Sequence, residues 1–98
     1  MISSTSPTRI VTVDCASVAN ENDFWNCYVT AANPDGSEIF GRNLDAFWDA
    51  VNGGPGWPGV CQLRFINCRS IKGIRDGQFY EALCDIARDS SLVEIQVE

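Results

Sequence analysis

The stretch from Gly41 to Asn52, Gly-Arg-Asn-Leu-Asp-Ala-Phe-Trp-Asp-Ala-Val-Asn, constrains this chain more than any other, because both of its ends are marked and its two sides differ. Asn43 follows a glycine turn and offers the side-chain oxygen that caps a helix, while Asn52-Gly53-Gly54 supplies the stop. Between them Leu44, Phe47, Trp48 and Val51 recur at helical spacing and predict a stripe that faces a core. Asp45, Asp49 and Asn52 fall on a second stripe, roughly 120° around the helix from the first. The helix dipole favours Asp45 in the first turn. Asp49 sits one turn deeper and repels Asp45 by a few tenths of a kcal/mol. Two ordinary solvated carboxylates, or a charged face kept for a partner, would each account for the pair.

The remaining chain is built from short segments of alternating type. Residues 1–8 are rich in Ser and Thr and read as a loose tail. Arg9 to Val13 is β-branched and predicts a strand. Phe24, Cys27, Tyr28 and Ala31 keep helical spacing and predict a helix from Asp23 to Ala31. Asn33-Pro34-Asp35-Gly36 is a turn. The segment Gly53 to Gly59 carries four glycines and two prolines. It lacks the Lys-Ser/Thr pair of a phosphate-cradling loop, so an irregular connection is expected. Val60 to Ile66 predicts a second strand, with Asn67 to Gly73 as its exit. A third helix runs from Gly77 to Arg88 on a core stripe of Phe79, Leu83, Ile86 and Ala87. Glu81, Asp85 and Asp89 stack like charges along its other side. Leu92 to Val97 predicts the last strand. Strands separated by helices require crossover connections, which predicts an α/β fold, one small domain over residues 1–98 with a three-stranded parallel sheet packed against helices.

Charge and cysteine usage narrow the function. Seven basic residues against thirteen acidic ones give a net charge of −6, which disfavours a phosphate-backbone partner and favours a basic one. Five cysteines, Cys15, Cys27, Cys61, Cys68 and Cys84, are an odd number at irregular spacing, and the chain has no histidine. A zinc site is therefore disfavoured, and small buried hydrophobes in a reducing compartment are expected. No basic and apolar leader precedes the first strand and no apolar run is long enough to span a bilayer, so a cytoplasmic protein is expected.

The segment Ile39-Phe40-Gly41-Arg42-Asn43-Leu44-Asp45-Ala46-Phe47-Trp48-Asp49 resembles the central motif of the barstar family, the bacterial intracellular inhibitors of secreted microbial ribonucleases. That motif runs aromatic-Gly-x-Asn-Leu-Asp-Ala-Leu-Trp-Asp, and the order of strands and helices also fits over nearly the whole chain after residue 8. The resemblance implies a non-catalytic protein without a cofactor that binds a small secreted guanyl-specific ribonuclease in a 1:1 complex, as immunity to a toxin. It implies that Asp49 takes the place of a substrate phosphate against cationic groups of the target. Asp45 would support Asp49, and Trp48 would pack behind it. Asn43, Leu44, Asn52, Gly53 and Gly54 would complete the helix-and-loop surface, and Asp85, with Asp89 one turn on, would add acid from the third helix. Ile39 stands where the family commonly has Tyr, and Gly54 where a Trp can occur, so the aromatic rim is thinner than usual. Trp57 is placed either to compensate or to pack.

Two other classes compete. An enzyme could use Asp45, Asp49, Asp85 and Asp89 as an acid/base pair or as oxygen ligands for magnesium, but no histidine and no nucleophile motif accompanies them. An acidic module for some other basic protein would share the same stripes, and would be told apart by failing to form a tight complex with a ribonuclease.

Overall fold

The computed structural model describes residues 9–34 and 36–98. The expected tail and Asp35 of the expected turn lie outside them. Strand β1 (Arg9–Asp14) leads to helix α1 (Glu21–Ala32), a 3-10 turn at Ser37–Ile39, helix α2 (Leu44–Ala50) and strand β2 (Cys61–Ile66). A 3-10 segment at Cys68–Gly77, helix α3 (Gln78–Asp89) and strand β3 (Glu94–Val97) complete it. The sheet is parallel in the order β1-β2-β3, with Val11 beside Leu63 and Leu63 beside Ile95. The three-stranded α/β architecture matches the expectation from sequence.

Strand order explains which face of the sheet is covered. Right-handed crossovers that step in one direction across a parallel sheet leave every helix on the same side. Val11, Val13, Leu63, Phe65 and Ile95 point to that side and are buried. The opposite face is largely polar, with Ile10 exposed among its polar side chains. There Gln62 Nε2 donates to Glu94 at 2.9 Å, and Arg64 donates to both carboxylate oxygens of Glu98 at 3.0 and 3.1 Å.

The core is an aromatic cluster. Phe24 packs on Phe65 at 5.2 Å and edge-on to Phe79 at 5.0 Å, and Trp25 stands against Phe40, Phe47 and Phe79 at 5.7, 5.5 and 5.9 Å between ring centres. In α1 the buried side chains are Phe24, Trp25, Tyr28 and Ala32, whereas Ala31 is exposed and Cys27 half-buried. The stripe is thus turned from the expected one, because the largest apolar side chain of the helix takes the interior. Its start also lies two residues earlier than expected. Asn20 accepts a hydrogen bond from Asp23 N–H at 2.9 Å, and that cap brings Glu21 and Asn22 into the first turn. Beyond β2, the 3-10 segment is broken at Ile74, Arg75 and Asp76, the last two in left-handed conformation. This break lets α3 begin at Gln78.

All five cysteines are free, with Cys15, Cys61 and Cys68 buried and Cys27 and Cys84 half-buried. Burial pushes the Cys61 thiol above its ordinary range. Folding that uses none of them as a cross-link should not depend on oxidation. Unfolding midpoints measured with and without reductant are expected to coincide, and a large loss on reduction would contradict this.

Candidate functional site

Helix α2 is short, and its placement comes from both ends and one side. Asn43 Oδ1 accepts from Ala46 N–H at 2.7 Å while its Nδ2 donates to Gly41 O at 3.2 Å, so a single side chain caps the helix and braces the preceding turn. At the other end Gly54 N–H donates to Asp49 O at 2.8 Å, and Asn52 Nδ2 donates to Trp48 O at 2.8 Å. The helix buries Phe47 and Ala50, and Val51 at its C-terminal cap is buried with them.

That buried set corrects one expectation. Trp48 does not pack behind the acidic face but is 39% exposed, and Leu44 is only half-buried. On a helix of ~3.6 residues per turn, Phe47, Ala50 and Val51 centre on one direction, and Trp48 lies roughly 100° away from it. Ala50 is small enough to let the backbone approach the core, and the large indole is left at the flank. By the same geometry Asp45 and Asp49 lie roughly 160° and 200° around, almost opposite the buried stripe. Both carboxylates are exposed, and none of the ion pairs among the described residues includes either. Asn52 is exposed on the same side, followed by exposed Gly53 and half-buried Gly54.

Other expected residues stand at different distances from this face. Ile39, in the turn before buried Phe40, is 70% exposed and presents a bare apolar side chain. Asp85 and Asp89 are exposed on α3 and both engage Arg88, at 3.2 and 3.4 Å. None of the hydrogen bonds or ion pairs among the described residues joins them to α2. Trp57 is half-buried and packs against the core.

Two side chains that sequence patterns did not single out border the site. A cleft of about 210 Å³ is lined by Glu21, Asn43, Leu44, Asp45 and Arg75, and Arg75 closes it by pairing with Glu21 at 2.8 Å. No spacing rule links these positions, because they meet only where the start of α1, the start of α2 and the break before α3 converge. Among the described residues no group of three or more His, Cys, Asp or Glu is placed to hold a metal ion. No helix of the described chain is long and apolar enough to cross a membrane.

The site is thus an exposed acidic helix face, anchored from behind and joined to a glycine-rich turn. The family model of barstar, described as a barnase inhibitor, matches residues 8–94. The chain belongs to the barstar family. No curated protein matches the sequence. Membership of this non-catalytic inhibitor family disfavours the enzyme reading of the four aspartates. Where barstars can carry Trp after the helix, Gly54 has a physical reason of its own, since a Cβ there would stand 2.9 Å from Asp49 O.

The cap and the acidic face should separate in a stability measurement. Asn43→Ala removes the bond to Ala46 and is expected to lower unfolding free energy by about 1 kcal/mol. Asp49→Ala is expected to leave it within about 0.5 kcal/mol, because the carboxylate has only its repulsion with Asp45 to lose. Urea denaturation of the two variants checks the ordering, and a larger loss for Asp49→Ala would mean the carboxylate is structural.

Proposed function

We propose that this protein is an intracellular inhibitor of a small secreted microbial ribonuclease, which it blocks in a 1:1 complex by laying α2 and the following turn over the active site. The observation that carries this reading is the Asp49 carboxylate, exposed and without an ion-pair partner among the described residues, on a helix whose opposite side is locked by Phe47. A ribonuclease must hold cationic donors where phosphate charge develops, and a fixed carboxylate accepts the same charge-assisted bonds. Because the helix is already held in place, little ordering is left to oppose binding. Asp45 supports the field of Asp49 and faces the cleft with Asn43 and Leu44. Trp48 and Ile39 supply the apolar contacts at its edges. Asp85 and Asp89 contribute longer-range charge, partly offset by Arg88.

The test is a ranking of inhibition constants against a guanyl-specific ribonuclease such as barnase. Asp49→Ala is expected to lose at least ~2 kcal/mol of binding, since the target's cationic donors would be buried without a partner. The size of that loss is inherited from barstar itself, in which an aspartate is a known hot spot, and the ranking is what this structure contributes. Asp45→Ala and Asp85→Ala should rank below it. Glu94→Ala should be neutral, because Glu94 lies on the uncovered sheet face bonded to Gln62 and Gln96. Equal constants for Asp49→Ala and Glu94→Ala would end the phosphate-mimic mechanism. Failure of the wild type to inhibit would favour an acidic module for another basic protein.

Association should also be steered. With a net charge of −6 and an exposed acidic face, the rate constant is expected to fall steeply as ionic strength rises. Stopped-flow measurements across a salt series decide this, and a flat response would reduce the face to ordinary solvated charge.

A further inference from the structure

The segment that follows α2, Gly53 to Gly59, has few side chains with which to hold itself, yet it sits tightly against its surroundings. Gly56 has φ +93° and a Cβ there would lie 2.6 Å from the Phe40 ring; Gly54 meets Asp49 O in the same way. Two side chains from earlier elements reach into this segment and bind its carbonyls. The Tyr28 hydroxyl, buried in the aromatic cluster, donates to Gly56 O at 2.7 Å. Arg9, at the start of β1, donates to Pro58 O and to Ala32 O, each at 3.1 Å.

We infer that Tyr28, assisted by Arg9, is a positioning residue for inhibition: its hydroxyl fixes the glycine-rich loop, and the loop in turn fixes Gly53, Gly54 and the C-terminal end of α2 beside Asp49. This rests on the ribonuclease-inhibitor reading given above. The link to Asp49 is direct, since Gly54 N–H donates to Asp49 O at 2.8 Å and Trp57 N–H donates to Gly54 O at 3.0 Å. Glycine-rich backbone loses more freedom on ordering than any other, so a loop of this composition needs fixed points from outside. Burial pushes the Tyr28 phenol well above its ordinary range, so it remains a donor throughout the working pH range. Tyr28 does not touch the target. Its effect is to let the loop meet the target already ordered.

The experiment compares Tyr28→Phe, Arg9→Met and Val13→Ala with the wild type. Val13→Ala is a core truncation near the opposite end of β1 that lowers stability without touching the loop. Dissociation from barnase is followed well below all melting temperatures, and amide hydrogen exchange is followed at Gly53, Gly54, Gly56 and Trp57. Tyr28→Phe is expected to speed exchange at these amides about tenfold, and to raise the dissociation rate roughly fivefold or more. Arg9→Met should do the same to a smaller degree, and Val13→Ala should do neither. Unchanged loop exchange and dissociation in Tyr28→Phe, or equal acceleration in Val13→Ala, would overturn the inference. If Tyr28→Phe does not fold, Arg9→Met alone decides, by the same two readouts. If the wild type does not bind barnase, the inhibitor reading for that enzyme fails. The loop's dependence on Tyr28 then stands or falls on the exchange rates, while its role in inhibition falls with the reading.

Discussion

The contact of Phe47 with the rings of Trp25, Tyr28 and Phe65, at 5.5, 5.3 and 6.1 Å, is the interaction on which the exposed face of α2 depends. A helix this short is unstable alone, since its nucleation is unfavourable and its few hydrogen bonds are weak in water. Burying one aromatic side chain and the small Ala50 and Val51 beside it fixes the axis and the rotation together. Once those are set, the direction of Asp45 and Asp49 follows from helix geometry. The apolar contact and the acidic face are therefore two consequences of one rotation, and a change to Phe47 would turn the acidic face without touching the surface.

The electrostatics follow a different logic from the packing. Of the ion pairs among the described residues, Arg64 with Glu98 lies on the uncovered sheet face and Arg88 with Asp85 and Asp89 on α3, while Arg75 with Glu21 borders the cleft that Asp45 also lines. These pairs are at least partly solvated on one or both sides and contribute little to stability. Their main effect is to decide where negative charge stays uncompensated. Arg88 offsets negative charge on α3, whereas neither Asp45 nor Asp49 enters an ion pair among the described residues.

Much of this was legible in the sequence because it depends on local pattern. The three strands, the three helices, the Asn43 cap and the exposure of both α2 carboxylates follow from periodicity and end signals, which operate over one or two turns. The errors came where tertiary packing sets the outcome. Trp48 fits the helical apolar stripe as well as Phe47 does, and only the direction from which the core approaches α2 leaves one outside and the other inside. Trp25 in α1 escapes the spacing rule for the reverse reason, since Cys27 and Ala31 keep a regular spacing but bury far less area. Glu21 and Arg75 lie far apart along the chain, and their meeting at the cleft depends on the left-handed backbone at Arg75 and Asp76, where Asp76-Gly77 signals a turn but not its partner.

The same packing bears on how this chain departs from its family's pattern. Gly54 and Ile39 replace aromatic side chains that would otherwise flank the acidic face, and the loss of contact area from both would weaken any interface. Trp48 partly offsets it, because an indole pushed out of the core remains beside Asp49 with its apolar surface available, and Ile39 still offers a bare aliphatic chain. Aromatic anchors contribute most when they are rigid and surrounded by groups that exclude water. Under the proposed mechanism Trp48, on a capped helix beside the glycine-rich loop, would be the aromatic group placed for that role. A target matched to this inhibitor should accordingly offer a pocket for the indole at the flank of α2, and less room for an aromatic ring after the helix, where Gly54 lies against the Asp49 carbonyl.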